Sequence, residues 1–312
     1  MLKKIIGKIQ RAVIVVLYGV EGIGKSTLAS HAPDPLFMDL ENGTDQLDVA
    51  RVTPPHGWEE LLSVIKEVAD TPDTCKTLII DTIDRAEMLA IQYICQKYKQ
   101  AGIESFGYGK GYVYLAEEFK RLLDAIDLVK AAGINVIILA HAKMRKQELP
   151  DEAGAFDRWE LKLTRQVGPM LKEWCDALIF CNYKIYVVST DSHTKKAQGG
   201  KRVMYTSHHP CWDAKNRNNL PDEMEMAYQN IACLFHIKDI PLEQSQLLDR
   251  FQMMMSEAEI TEAEVRKVVS EKGHYPEYTP IADYDDKFIS GWLIAHWDKI
   301  KPIILNSRNS LT

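Results

Sequence analysis

Apolar and polar positions along the chain fall into two alternating patterns. Short β-branched runs at 12–18, 35–40, 77–81 and 135–141 are bounded by turn residues and predict buried strands. Between them, 25–30, 58–69, 85–100 and 114–132 carry apolar residues at helical spacing. Parallel neighbours need such crossovers, so this order predicts an α/β fold, a mostly parallel sheet with helices on both faces. Ligands of such sheets sit at the carboxyl ends of the strands.

Beyond His141 the pattern loosens. The charged stretch 143–165, with Pro150 and Gly154, predicts a long mobile loop leading into a short strand. Strands follow at 177–183, 185–189 and 203–207, with 191–200 as a polar hairpin tip around Gly199 and Gly200. From about residue 240 the strand pattern stops. Helices are predicted at 242–258, 261–272 and 285–305, and Thr261 with Glu264 fits a capping box. The expected organisation is an α/β core over 1–239 and a small helical C-terminal domain over 240–312.

Composition narrows the choice of chemistry. At 46% hydrophobic and 26% charged residues the chain is globular, not disordered. Its net charge of −6 excludes a basic coat, so any contact with nucleic acid has to come from local patches. The six cysteines form no C-x-x-C pair, which argues against a zinc site or a disulfide framework and for a cytoplasmic location. Lys3, Lys4 and Lys8 ahead of the apolar run imitate a signal peptide, but that run leads directly into a glycine-rich turn without a cleavage site. No stretch reaches the ~20 apolar residues of a membrane span, so no membrane partner is expected.

That glycine-rich turn carries the clearest chemistry. Gly19-Val20-Glu21-Gly22-Ile23-Gly24-Lys25-Ser26, followed by Thr27, lies between a strand and a helix. Glycines let successive N–H groups point at phosphates, the helix adds its N-terminal dipole, and Lys25 reaches the β and γ oxygens of ATP. Ser26 is a ligand for Mg2+. Asp81, ending an apolar strand at 77–81, has the form of the second, magnesium-orienting motif.

Asp81 is followed by Thr82, not by a glutamate base. Glu41 ends the strand after the P-loop helix and is a candidate base, or else a solvated turn carboxylate beside Asn42 and Gly43. His141 closes another strand and is either a γ-phosphate sensor or an ordinary polar strand end. The segment 106–112 interleaves Tyr108, Lys110 and Tyr112 with glycines, which suits base stacking or a plain connector.

These motifs, in this order, resemble the RecA-like ATPase core, and most closely the phage core-only relatives that promote single-strand annealing. The resemblance spans about residues 8–235. It implies that Glu41 is the catalytic base, that His141 senses the γ-phosphate, and that Lys215 and Arg217 of Lys215-Asn216-Arg217 reach into a neighbouring subunit's ATP site. It further implies a homo-oligomer, ring or filament, around single-stranded DNA. Two segments would contact the DNA, one with Tyr108, Lys110 and Tyr112, the other with Lys143, Arg145 and Lys146. A single-strand-binding protein is a further expected partner. The chain has no room for the N-terminal domain of bacterial RecA, so annealing is expected ahead of strand exchange. A DnaB-like helicase or packaging motor, a small-molecule kinase, and an ATPase adaptor that binds proteins through 240–312 and not DNA are the other readings.

Overall fold

Every residue of β1 (Ile14–Gly19) is buried, and its side chains alternate between two cores. Ile14, Val16 and Tyr18 enter one, Val15 and Leu17 the other. A strand covered on both faces needs such a continuous apolar run. The computed structural model describes residues 11–148, 154–191, 194–235 and 244–309.

The P-loop follows β1 and opens α1 (Lys25–Ala29), after which come β2 (Pro35–Asp39), β3 (Ala50–Arg51) and α2 (Trp58–Asp70). Next are β4 (Thr77–Asp81), α3 (Ile83–Lys97), α4 (Lys110–Ala131) and β5 (Asn135–Glu148). The unit continues through β6 (Ala155–Leu161), α5 (Val167–Trp174), β7 (Ala177–Asp191), β8 (Thr194–Tyr205) and β9 (Glu223–Glu225). The sheet order is β3-β2-β4-β5-β1-β7-β8-β9, with β6 pairing β5 off this path. Pairings from β3 to β7 are parallel, and those of β8, β9 and β6 antiparallel. The fold is the expected α/β class with a mostly parallel sheet.

Helices α2 to α5 cover one face of the sheet. In α2, Trp58, Leu61, Leu62, Ile65 and Val68 make one buried stripe. It meets α4, where the buried Glu118 accepts the Trp58 indole N–H at 2.9 Å, so the polar atom of the largest core residue is satisfied. Leu28 and Ala29 of α1, with Leu220, Ile231, Leu234 and Phe235, close the other face.

Four predicted boundaries change. The stretch beyond His141 is not a loop: β5 continues to Glu148 and pairs with β6, from Ala142 opposite Leu161 to Glu148 opposite Ala155. Charged residues that alternate along a strand keep their heads in water, so polarity there did not signal a loop. Residues 149–153 at its turn lie outside the described residues. Next, 177–183 and 185–189 form one strand, β7, whose register shifts between Lys184 and Ile185. Most of the predicted tip is strand β8, because Gly199 pairs Ile185 while Lys201 pairs Lys184, leaving Gly200 as the extra residue of a bulge; 192–193 are outside the described residues. Finally, α4 starts at Lys110, four residues before the predicted helix.

The chain divides into two compact units, Met1–Lys238 and Asp239–Thr312. The second contains α6 (Gln244–Glu257), α7 (Glu262–Glu271), the short α8 (Asp286–Phe288) running into a π turn, and α9 (Trp297–Asn309). Its own core includes Phe251, Val265, Val269, Tyr284 and Leu293. The Glu264 carboxylate accepts the Thr261 N–H at 2.8 Å, the return half of a capping box. Among the described residues no helix is long and apolar enough to cross a membrane.

Candidate nucleotide site

The parallel register brings the sequence motifs to one edge of the sheet. Gly19 lies opposite His141 on β5 and Cys181 on β7, and Asp39 lies opposite Asp81. Gly19 is required by packing, since a Cβ there would stand 2.1 Å from the Cys181 carbonyl oxygen. Gly24 holds φ +101° at the entry to α1, a left-handed conformation that glycine adopts without steric penalty. These two positions let the chain turn tightly from β1 into the helix, which presents its N-terminal N–H groups.

Lys25 is buried, and its ammonium donates to the carbonyls of Gly19 (3.2 Å) and Val20 (3.0 Å). Burial pulls its pKa below the usual lysine value, opposed by Asp81, Asp84 and Glu41 nearby. The Ser26 hydroxyl donates to Asp81 Oδ2 at 2.6 Å. Burial pushes the Asp81 carboxyl up, with the Ser26 hydrogen bond acting against it. A hydroxyl and a carboxylate this close are hard oxygen donors, the set Mg2+ takes alongside the phosphates of a nucleotide. Ser26 and Asp81 would hold such an ion, which would supply positive charge against the phosphates of a nucleotide.

Asp39 builds the turn that carries Glu41. Its carboxylate accepts the N–H groups of Glu41 (3.1 Å), Gly43 (3.2 Å) and Thr44 (2.9 Å), and the Thr44 hydroxyl (2.6 Å). Burial raises the Asp39 pKa, but these four donors outweigh it and hold the group low and ionised. Arg51 fixes the far side through Thr44 Oγ1 (2.7 Å) and the Leu47 carbonyl (2.6 Å). Glu41 itself is exposed and accepts the Thr82 hydroxyl at 2.9 Å. The Asp81–Thr82 peptide is cis.

His141 is held from β4's side of the site. Its backbone N–H and ring Nδ1 lie 3.1 and 2.8 Å from the two Asp84 carboxylate oxygens. Side-chain atoms of Glu41, Asp84 and His141 fall within 4.8 Å of one another. Sequence reasoning named Glu41 and His141 but missed Thr82, Asp84 and Asp39. Asp84, in the first turn of α3, reads in sequence as an ordinary acidic residue favoured by the helix dipole; only the register of β4 and β5 points it at His141.

A pocket of about 210 Å³ adjoins the P-loop and is lined by Gly24, Thr27, His31, Arg202, Met226 and Tyr228. Arg202 Nη1 donates to the Ile23 carbonyl at 3.3 Å, so β8 reaches the loop directly.

The other predicted residues stand elsewhere. Lys215 donates to the carbonyls of Lys172 (3.1 Å), Glu173 (2.6 Å) and Cys175 (2.6 Å), closing the C-terminal end of α5. Arg217 is exposed. Tyr108 is fully exposed at φ +48°, between Gly107 and Gly109, which also have positive φ. Lys110 and Tyr112 are in the first turn of α4, and the Tyr112 hydroxyl bonds Glu104. Lys143 donates to the Leu163 carbonyl at 2.5 Å, Arg145 pairs with Glu160 at 3.6 Å, and Lys146 is exposed.

The family model described as an AAA domain matches residues 11–218, more than half of the chain, including the P-loop, Glu41, Asp81, Asp84 and His141. The chain belongs to the AAA domain family. It is a P-loop ATPase in the arrangement of its motifs. It is also similar to the SPbeta prophage-derived uncharacterized protein YorG of Bacillus subtilis (strain 168), 25% identical over 143 residues, 43% of this chain and 42% of that protein. The match thus spans less than half the length of this curated relative. Among solved structures, a KaiC-like protein, PH0186, from Pyrococcus horikoshii OT3 matches at 14% identity over 62% of this chain and 78% of its own, with a TM-score of 0.35. The RadB recombinase matches at 14% identity over 62% of this chain and 80% of its own, also at 0.35.

Proposed function

We propose that this AAA domain protein is a RecA-like ATPase that acts on single-stranded DNA in phage recombination or replication, by annealing or recombinase-type chemistry. One contact carries the nucleotide half of this reading: Ser26 and Asp81, far apart in sequence, meet at 2.6 Å beside the buried ammonium of Lys25. In this reading Lys25 and Mg2+ hold the β and γ phosphates, Glu41 takes the proton of the attacking water, and His141 faces the γ-phosphate. The pocket beside Thr27 and Tyr228 takes the nucleoside, whose flat base suits an aromatic wall.

The DNA half rests on the exposed Tyr108 and Lys110, an aromatic and a cation on a glycine-flanked turn. The prophage origin in the relative's name supports the phage setting alone. Sites completed between subunits of a ring or filament would use Arg217, whose exposure leaves it available, while Lys215 would shape the same segment through its bonds to α5. The test is filter binding of the full chain to a single-stranded oligonucleotide with and without Mg-ATP. ATP-dependent retention is expected. No retention in either condition contradicts the DNA reading and favours the protein-binding adaptor.

A further inference from the structure

We infer that Asp84 is the positioning residue of this site: its two carboxylate oxygens hold the His141 main chain and ring, and so fix the ring's orientation at the phosphate end of the P-loop. The inference rests on the reading of His141 as the residue that faces the γ-phosphate, and it assigns a role to a side chain that no sequence motif marks.

The geometry is two-pronged. One Asp84 oxygen takes the His141 backbone N–H (3.1 Å) and the other stands 2.8 Å from ring Nδ1. A carboxylate that accepts from both the main chain and the ring of one residue leaves that ring a single orientation. Asp84 is buried, which favours its neutral form, but the His141 hydrogen bonds outweigh burial and hold its pKa below the usual carboxylate range. Against an ionised acceptor Nδ1 is a donor, so Nε2 is the atom left to meet a ligand.

The charge follows from the neighbours. The charged groups acting on the ring are Asp84 from α3, Glu41 from the turn after β2, and Lys25 from α1. The Asp84 hydrogen bond is the largest influence and raises the His141 pKa; burial and Lys25 oppose it, and Glu41 assists. The net direction is upward, so the imidazolium persists to higher pH than in a free histidine. A ring that holds its proton more readily beside Lys25 is useful only where an anion arrives. A γ-phosphate meets that condition, and a fixed Nε2–H donor costs no reorganisation as charge shifts in the transition state.

The His141 ring is followed by NMR titration of the nucleotide-free full chain, its signal identified by its loss in His141→Gln. In the wild type it should lose its proton above the ordinary histidine value of about 6.5. In Asp84→Asn, proton affinity should fall by about tenfold or more. A wild-type ring titrating at or below the ordinary value overturns the inference even without the variant, as does an Asp84→Asn ring that titrates like the wild type. Hydrolysis is then measured against pH. Turnover should decline as pH rises through the His141 pKa, and Asp84→Asn should move that decline to lower pH. Titrations that behave as stated beside a pH profile unmoved by the variant would leave Asp84 as the partner of His141 and overturn its bearing on catalysis, and with it the sensor reading of His141.

Discussion

The Ser26 hydroxyl reaches the Asp81 carboxylate at 2.6 Å across 55 residues of chain, joining the P-loop helix to the end of β4. Burial makes an ionised Asp81 unfavourable, and an arriving cation would offset that cost. Asp81→Asn keeps the shape and removes the charge. Nucleotide affinity in the variant should lose most of its dependence on Mg2+, by on the order of tenfold. Titration of a fluorescent ATP analogue in Mg2+ and in EDTA measures this, and an unchanged Mg2+ effect would place the metal elsewhere.

Glu41 is exposed but not loose, because Asp39 holds its turn and Thr82 its carboxylate. Glu41→Gln should retain ATP binding and slow turnover by about 10² to 10⁴, the usual worth of a general base. Thr82→Val keeps Glu41 but frees its carboxylate, so its rate should fall between those of the wild type and Glu41→Gln. Equal rates for Thr82→Val and the wild type would mean that the hydrogen bond does not orient the base.

Tyr108 and Tyr112 belong to the same short segment but differ in freedom. Tyr108 projects into solvent, whereas Tyr112 bonds Glu104 and packs against the core. Tyr108→Ala should weaken single-stranded DNA binding by about 1 to 3 kcal/mol, while Lys110→Ala should lower the salt slope by about one. Tyr112→Phe should do neither. Fluorescence anisotropy across a salt series separates the three, and unchanged binding in both of the first two variants would leave the turn a connector.

Asp213, Lys172 and Arg158 form a cluster that contributes to stability. Asp213 bonds Lys172 at 2.8 Å and the buried Arg158, tying β6 and α5 to the segment that leads to Lys215. Burial raises the Asp213 pKa, but the two cations outweigh it and hold the carboxyl below its usual range. A depressed folded-state pKa gives stability that is fully present above the unfolded value, about 3.9, and is lost as pH falls through the folded one. Asp213→Asn should therefore cost about 1 to 3 kcal/mol at pH 7, less than a fully buried pair because water screens the part-exposed Lys172. That cost should shrink in acid. Denaturant melts at pH 7 and pH 3 test it, and a pH-independent difference would contradict the ion-pair account.

The core strands and the P-loop were legible because their signals are local: an unbroken apolar run for β1 and β4, and glycines at fixed spacing before Lys25 and Ser26. Glu41 and His141 could be named from their place at strand ends. What escaped depends on partners distant in sequence. Asp84 gains its meaning from β5, and the strand character of 142–148 comes from pairing with β6. Neither α5 nor Arg202 beside the P-loop announces itself by periodicity, since α5 is only eight residues long and Arg202 is brought in by the β7–β8 pairing.

Turnover coupled to DNA is the property that ties the nucleotide site to single-stranded DNA. Phosphate release by the full chain should be measured with Mg-ATP, with and without a single-stranded oligonucleotide, beside Lys25→Ala. In the proposed reading Lys25 would make a charge-assisted contact to the β and γ phosphates that alanine cannot replace. The account predicts release in the wild type, faster with the oligonucleotide, and none above background in Lys25→Ala. Equal release by wild type and Lys25→Ala would contradict the nucleotide site, and release that the oligonucleotide leaves unchanged would contradict action on single-stranded DNA.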